Sequence, residues 1–282
     1  MATTRHTAVL ELTFNCNFTC KFCYAPWLED SSFYGKELDI AEWIKIADNL
    51  IEGGVRHLTL SGGEPLLKAD VSSLIDFLIR HPAQPKFTIY TNGSLIDDAM
   101  LTQLKSTKGR IACSLPGMEV FRELTGANMS AGDMFELFGK LQDANIPFSV
   151  AITVTKPTLK EFRQMVPLAL LSGADVVQVQ PFLVEGRGRF HPELALSYAD
   201  IVRLKAWCVE LGKLHPVTYA DEMFCSCRKT CVKPEGLPEG YIPPSCTIEQ
   251  RLIVISPTGR YRKCLHTLRE SDNGRSEGAN AS

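Results

Sequence analysis

Short apolar runs alternate with longer segments of helical period from about residue 8 to about residue 214. This alternation is typical of a parallel sheet built from βα units. A twisted sheet of such units, joined by right-handed crossovers, curls towards a barrel without closing. The fold class is therefore predicted to be α/β, a partial (β/α)6 TIM-like barrel that binds ligands at the carboxyl ends of its strands. The predicted strands are 8–14, 55–61, 86–90, 110–115, 148–154 and 176–181.

Capping residues mark the starts of several predicted helices. A hydroxyl or carboxylate before an apolar stripe, with an acidic residue three positions later, forms a capping box. Beyond about residue 214 the alternation stops, which predicts a small cysteine-rich extension over 215–268 and a polar, disordered tail over 269–282. The predicted caps are Asp39 with Glu42, Thr158 with Glu161, and Ser197 with Asp200.

Composition excludes several classes of function. The 282 residues are 45% hydrophobic, which is enough for a large buried core. The net charge of -2 comes with no basic stripe, so we expect no nucleic-acid partner. No run of 18 apolar residues occurs and the N-terminal residues lack the pattern of a signal peptide, so we expect a cytoplasmic protein with no membrane contact.

The ten cysteines fall into two groups and two isolated positions. Without an export signal, metal or iron-sulfur binding is favoured over disulfides. Cys113 lies in an apolar run and Cys208 on an apolar helical stripe, so both are predicted to be inert core residues. The two groups are Cys16, Cys20 and Cys23, and Cys225, Cys227, Cys231, Cys246 and Cys264.

The first cysteine group directly follows the first predicted strand. Its three thiolates lie in one tight loop, and three ligands for the four irons of a cluster leave one iron open to bind and activate a substrate. A structural zinc site completed by a distant ligand is the alternative, but the spacing differs from the paired Cys-x-x-Cys of zinc ribbons.

The segment from Cys16 through Cys20 to Cys23, with aromatic Phe22, resembles the CxxxCxφC signature of the radical S-adenosylmethionine (SAM) superfamily. The resemblance implies a SAM-binding 4Fe-4S cluster on the three cysteines. It further implies reductive cleavage of SAM to a hydrogen-abstracting radical and an electron donor such as flavodoxin or ferredoxin.

The end of the second predicted strand supports the resemblance. Gly62, Gly63, Glu64 and Pro65 resemble the family's GGEP motif, where the strand edge receives the amino group of SAM. The residues suit that task on physical grounds, because glycines admit a ligand close to the backbone and Glu64 offers an acceptor for an ammonium group.

Shorter matches follow the next strands. Asn92, in Thr-Asn-Gly, resembles a frequent family turn, although turn chemistry alone explains it equally well. Ser114 resembles the serine of an S-x-D-G segment that lies near the SAM carboxylate and ribose, but Pro116 replaces the aspartate. The arginine of the family's L-R-G context is absent from Leu-Thr-Gly at 124–126, and Arg122 is a candidate substitute.

Gln178 and Gln180 alternate on the sixth predicted strand, so both face one side of the sheet. If that side is the barrel interior, their amides can bond adenine or substrate, and Gln180 is the candidate cofactor residue. A polar pair that is satisfied within the barrel is the alternative.

The second cysteine group resembles the hairpin of SPASM and shorter twitch extensions, with Cys246 before it and Cys264 at its end. Strands over 252–256 and 259–262 are predicted. Cys225, Cys227 and Cys231 are candidates for the remaining ligands of an auxiliary 4Fe-4S cluster. Five cysteines exceed the four ligands of one cluster, so at least one is a spare, a redox partner or a contributor to a second site. A full SPASM domain would carry more cysteines after Cys264, and their absence indicates a truncated extension or an incomplete chain. A zinc site on the same residues is the alternative.

Relatives with such extensions mostly modify peptides or proteins, so the resemblance favours a peptide-modifying maturase. A radical dehydrogenase of a small molecule such as an aminocyclitol is the enzymatic alternative. An iron-sulfur electron carrier or a zinc-stabilised binding protein is the non-enzymatic alternative, and it would need four protein ligands for each metal site and no SAM motif.

Overall fold

A computed structural model describes residues 7–28, 30–105, 107–220, 235–236, 239, 252–262 and 265. One open sheet organises them, in the spatial order β7-β6-β5-β4-β3-β2-β1-β8-β9. Neighbouring strands are parallel except β9, which runs antiparallel to β8. The strands are β1 (Thr7–Glu11), β2 (His57–Ser61), β3 (Lys86–Thr91), β4 (Gly109–Ser114), β5 (Phe148–Val154), β6 (Val176–Pro181), β7 (Val217–Tyr219), β8 (Leu252–Ile255) and β9 (Tyr261–Arg262).

Helices cover one face of this sheet. Capping boxes open α1 and α7, at Asp39 with Glu42 and at Ser197 with Asp200, as predicted. The helices are α1 (Ile40–Glu52), α2 (Val71–Arg80), α3 (Asp98–Leu104), α4 (Phe121–Thr125), α5 (Ala131–Asp143), α6 (Phe162–Leu171) and α7 (Tyr198–Gly212). Among the described residues, none of the helices is both long and apolar enough to cross a bilayer.

The predicted cap at Thr158 with Glu161 is wrong. Thr158 opens a short 3-10 turn, and its hydroxyl accepts from the Thr155 amide at 2.8 Å. The Glu161 carboxylate accepts from the Met118 amide at 2.7 Å instead of reaching back to the helix start. Both side chains are thus occupied by neighbouring loops, and α6 begins at Phe162 without a side-chain cap.

The two faces of the sheet differ in chemistry. Alternate residues pack under the helices in one apolar core, and their neighbours on the other face, here called the inner face, carry mostly hydroxyl, amide and charged groups. The core side includes Leu10, Leu60, Ile89, Ile111, Val150 and Val177. The inner face includes Glu11, Thr59, Thr88, Tyr90, Ser149 and Gln178. The open, partly barrel-like parallel sheet agrees with the predicted fold class.

Strands join both edges of the predicted six-stranded sheet. β7 extends it beside β6, and the hairpin of β8 and β9 pairs with the free edge of β1. The hairpin was predicted, but its place beside β1 was not. Cys113 and Cys208 are buried, as predicted. The five cysteines of the second group and the 269–282 tail lie outside the described residues, so the domain boundaries stay predictions.

Candidate active site at the carboxyl ends of the strands

The cysteine loop, residues 12–24, leaves the carboxyl end of β1 and runs along the end of β2. The Gly63 amide donates to the Thr13 carbonyl at 2.8 Å, and the Glu64 amide donates to the Asn15 carbonyl at 2.8 Å. These backbone bonds continue the pairing of the two strands beyond the sheet. They fix the entry to the loop just before its first cysteine.

The two glycines of the GGEP segment make this approach possible. A Cβ atom on Gly63 would lie 2.1 Å from the Asn15 carbonyl oxygen, and one on Gly62 would lie 2.6 Å from the Thr13 carbonyl oxygen. Gly62 also has a φ of +126°, which side chains disfavour. The close approach expected of a ligand is therefore made here by the protein's own cysteine loop.

Glu64 is buried, with only 1% of its surface exposed, and its carboxylate accepts three hydrogen bonds. Its carboxylate accepts from the Thr91 hydroxyl and the Asn92 amide, each at 2.8 Å, and from the Leu66 amide at 3.1 Å. Burial raises the pKa of Glu64, and these three hydrogen bonds oppose the rise. The carboxylate thus holds the ends of β2 and β3 together, and its part in binding the ammonium group of SAM stays a prediction.

Asn92 connects that carboxylate to the cysteine loop. Its side-chain amide donates to Asn17 Oδ1 at 2.8 Å, Asn17 Nδ2 donates to Ser94 Oγ at 2.8 Å, and Ser94 Oγ donates to Asn92 Oδ1 at 2.6 Å. The Asn92 side chain also opposes the rise that burial causes in the pKa of the Cys16 thiol. Together with the bond from the Asn92 amide to the Glu64 carboxylate, these interactions connect three predicted site residues, Cys16, Glu64 and Asn92.

The short helix α4, which follows β4, holds the middle of the cysteine loop. The Thr19 amide donates to the Thr125 carbonyl at 2.9 Å, and the Lys21 amide donates to the Leu124 carbonyl at 2.8 Å. Gly126 has a φ of +64°, and a Cβ there would lie 2.0 Å from Thr19 Oγ1. The Leu-Thr-Gly segment therefore contributes to the site through its backbone.

Arg122, the candidate substitute for the missing arginine, lies on α4. Its side chain is exposed, and Nε donates to the Met129 carbonyl at 3.3 Å in the loop beyond α4. Its role as a substitute stays a prediction.

The three thiols share one electrostatic environment. Burial raises the pKa of Cys16, Cys20 and Cys23, and for Cys20 the other two thiols add to the rise. Arg187 opposes the rise at all three. Within the described ranges, no three His, Cys, Asp or Glu side chains form a site for a single metal ion. Three crowded thiols on one loop need positive charge to ionise, and an iron-sulfur core supplies it, so the donor set fits the cluster that the motif implies.

Sequence reasoning missed Arg187, which follows β6. Its Nη1 donates to the Cys20 carbonyl at 3.3 Å. The Gly188 amide donates to the Cys23 carbonyl at 3.4 Å. Gly186 has a φ of +55°, and a Cβ there would lie 2.5 Å from the same carbonyl. The Gly-Arg-Gly-Arg run at 186–189 was the available signal, since glycines flanking an arginine indicate close backbone packing around a cation.

Polar side chains line the inner face near the loop. The Tyr90 hydroxyl donates to Gln178 Oε1 at 2.7 Å, a bond that reaches from β3 to β6. Gln180 Nε2 donates to Thr153 Oγ1 at 2.9 Å. Ser114 ends β4 on the same face and is partly exposed. Both glutamines thus face the interior and have protein partners, and Tyr90 is a further residue that the sequence did not single out.

Two other predicted site residues have packing roles. Phe22 is partly buried against Leu124, Phe182 and Leu194, which anchors the last turn of the cysteine loop. Pro65 is buried and begins a 3-10 turn after Glu64. Phe22 therefore supports the cysteine loop, and Pro65 supports the end of β2.

Residues 10–169, more than half of the chain, match the model of the Radical SAM superfamily. The chain belongs to this superfamily. Membership of this superfamily implies SAM and a 4Fe-4S cluster as cofactors, and superfamily members are enzymes.

Curated relatives include peptide-modifying enzymes. The sporulation killing factor maturation protein SkfB of Bacillus subtilis is 28% identical over 70% of this chain and 47% of its own length. The PqqA peptide cyclase of Granulibacter bethesdensis is 24% identical over 90% of this chain and 66% of its own. GTP 3',8-cyclases are also among the relatives. The chain thus spans about half to two thirds of the first two relatives.

Among solved structures, Streptococcus suis SuiB bound to its precursor peptide SuiA superposes with a TM-score of 0.73 at 16% identity. The match covers 96% of this chain and 62% of SuiB. At this identity the likeness shows the fold.

Proposed function

We propose that Cys16, Cys20 and Cys23 hold the SAM-binding 4Fe-4S cluster. The main support is that segments distant in sequence hold their loop by hydrogen bonds. These bonds fix the three thiols at the carboxyl ends of the parallel strands. When bound, the cluster supplies the electron that cleaves SAM and so generates a hydrogen-abstracting radical.

The protein's own residues position and shield this chemistry. Asn92 and the Glu64 carboxylate behind it orient the Cys16 side of the loop. Gly62 to Pro65 keep the end of β2 against the loop, and Ser114 and Gln180 are the candidates for contact with SAM on the inner face. An external electron donor such as flavodoxin or ferredoxin would reach the cluster on the Cys16 side, because Cys16 is the most exposed of the three thiols.

We further propose that the substrate is a peptide or protein that undergoes post-translational modification. PqqA peptide cyclase is named for a peptide, SkfB is named for the maturation of the sporulation killing factor, and SuiB has been solved with a precursor peptide bound. The accessible part of the inner face supports this choice, since Tyr90, Thr153, Gln178 and Gln180 offer neutral hydroxyl and amide groups that suit a peptide backbone.

A small-molecule substrate is the second candidate, and the GTP cyclases among the relatives favour it. A nucleoside triphosphate needs several unpaired cations, however. Among the described residues of the inner face, Arg262 is paired with Glu11 and Arg110 with Asp175. A neutral small molecule, as in an aminocyclitol dehydrogenase, would be compatible with this lining.

An auxiliary 4Fe-4S cluster on Cys225, Cys227, Cys231, Cys246 and Cys264 remains part of the proposal. These residues lie outside the described ranges. The support comes from the hairpin of β8 and β9, which forms as the SPASM or twitch resemblance implied.

The test is anaerobic reconstitution followed by reduction and measurement of 5'-deoxyadenosine. Cys20→Ala should reduce its formation to background, because it removes a cluster ligand. Cys208→Ala is the matched control, since Cys208 lies on the buried face of α7, and this variant should retain the activity. Wild-type turnover in Cys20→Ala would refute the assignment of the cluster. In the same preparations, wild type should hold close to twice the iron of the Cys16/Cys20/Cys23 triple-alanine variant. Equal iron in the two proteins would refute the two-cluster proposal, because the three cysteines would then bind no iron, and a triple variant without iron would refute the auxiliary cluster.

A further inference from the structure

We propose that Arg187 is the charge-compensating residue of the cysteine loop, and that its guanidinium raises the reduction potential of the cluster held there. The inference rests on the proposed cluster site. It assigns a task to the Gly-Arg-Gly-Arg run, which the family motifs did not cover.

Arg187 reaches the cysteine loop from a segment that is distant in sequence. Arg187 comes from the loop after β6, at the far side of the described sheet from β8 and β9, yet its Nη1 bonds the backbone of Cys20 at 3.3 Å. The flanking glycines pack closely against the loop. There is no room for a Cβ on Gly186 beside the Cys23 carbonyl, and the Gly188 amide donates to that carbonyl. The arginine is thus held against the loop by its own backbone.

Arg187 also places a positive charge next to the cysteine loop, because its guanidinium lies within hydrogen-bond distance of the Cys20 backbone. Lys21, the cation inside the loop, is turned away and pairs with Glu123 at 3.1 Å. Arg187 also keeps its charge at every physiological pH, because a guanidinium does not lose its proton in proteins.

The consequence follows from charge alone. Reduction adds one negative charge to a group that three thiolates already make negative. A fixed positive charge stabilises the reduced form more than the oxidised form, especially where burial lowers the local dielectric. Removing the charge should make the cluster harder to reduce, while the protein ligands stay in place.

The experiment compares the full-length, anaerobically reconstituted wild type with Arg187→Gln, Arg187→Lys and the control Lys21→Gln. The reduction potential is measured without SAM by a redox titration followed by electron paramagnetic resonance. We expect Arg187→Gln to shift the potential to a more negative value and Arg187→Lys to shift it less, because lysine retains the charge. Lys21→Gln, which also removes one positive charge from the loop region, should leave the potential unchanged.

Two further measurements separate the possible failures. Wild type without iron would refute the proposed cluster site itself. Iron-loaded Arg187→Gln with the wild-type potential would refute only the role of Arg187. If Arg187→Gln does not take up iron, the other two variants decide. A wild-type potential in Arg187→Lys that is retained when Lys21 is also replaced would support charge compensation. A potential that falls to the same extent in Arg187→Lys and in Lys21→Gln would refute it. SAM affinity tenfold weaker in Arg187→Gln at an unchanged potential would also overturn the proposal, since the guanidinium would then bind the SAM carboxylate.

Discussion

The cysteine loop and the C-terminal hairpin both attach to β1, but different forces hold them. The loop is held by backbone hydrogen bonds to the end of β2, to α4 and to the loop after β6, with glycines at the points of closest approach. The hairpin is held by one parallel ladder between β8 and β1 and by an ion pair between Arg262 and Glu11 at 2.5 Å. Both of these charged side chains are almost completely buried.

The difference shows which attachment is sensitive to charge. Burial raises the pKa of Glu11 to about 7, against the attraction and the hydrogen bond of Arg262. Such a pair offers little net stability over an apolar pair, yet losing one partner leaves a buried charge uncompensated. Backbone bonds are indifferent to side-chain charge, so the cysteine loop should respond to added volume and the hairpin to lost charge.

The largest effect is expected at the buried ion pair. Arg262→Met should lower the free energy of unfolding by about 3–5 kcal/mol, because Glu11 would remain buried without its partner. Denaturant unfolding followed by circular dichroism measures the loss.

The control for this prediction is the double variant Glu11→Leu with Arg262→Met, which removes both charges. It should recover most of the stability that the single variant loses, since two apolar side chains of similar size replace the pair. If the double variant were no more stable than the single one, the loss would not come from an uncompensated charge on Glu11.

A smaller effect is expected at the cysteine loop. Gly63→Ala places a Cβ against the Asn15 carbonyl, so either β2 or the loop must shift, at a cost of about 1–3 kcal/mol. The shift should also reduce iron uptake. Gly139→Ala is the matched control, because nothing lies within 4 Å of a Cβ at that helical position and alanine favours the helix by about 1 kcal/mol. Wild-type iron content in Gly63→Ala would show that the close approach is not needed.

Hydrophobic periodicity predicted the strands well and misplaced their ends for a physical reason. Leu12 is buried beyond the end of β1, and Val55 is buried before the start of β2, where its amide closes α1 by donating to Leu50. Apolar residues report burial, whereas a ladder needs a partner strand. The prediction therefore extended β1 and β2 into buried loop residues.

The motif located the cysteines but not the groups around them. The bond from Arg187 to Cys20, the bonds from Thr91 and Asn92 to Glu64, and the bond from Tyr90 to Gln178 all join residues far apart in sequence. Local pattern carries no information on such pairs. The glycines of the GGEP segment were recognised as points of close approach, but which partner approaches depends on the path of the cysteine loop. For the same reason the pairing of β8 with β1 was visible only in the structure.

The smallest effect is expected at the exposed ion pair between Lys21 and Glu123. The two side chains lie 3.1 Å apart and are 33% and 64% exposed, so water and salt screen their attraction. Lys21→Gln should change the free energy of unfolding by no more than about 1 kcal/mol, and the change should vanish in high salt. The backbone of Lys21 keeps its bond to Leu124, so the loop should stay in place and take up iron as wild type does. Unfolding curves at low and high salt check this, and a loss as large as that of Arg262→Met would show that side-chain charge, and not backbone bonding, holds the loop.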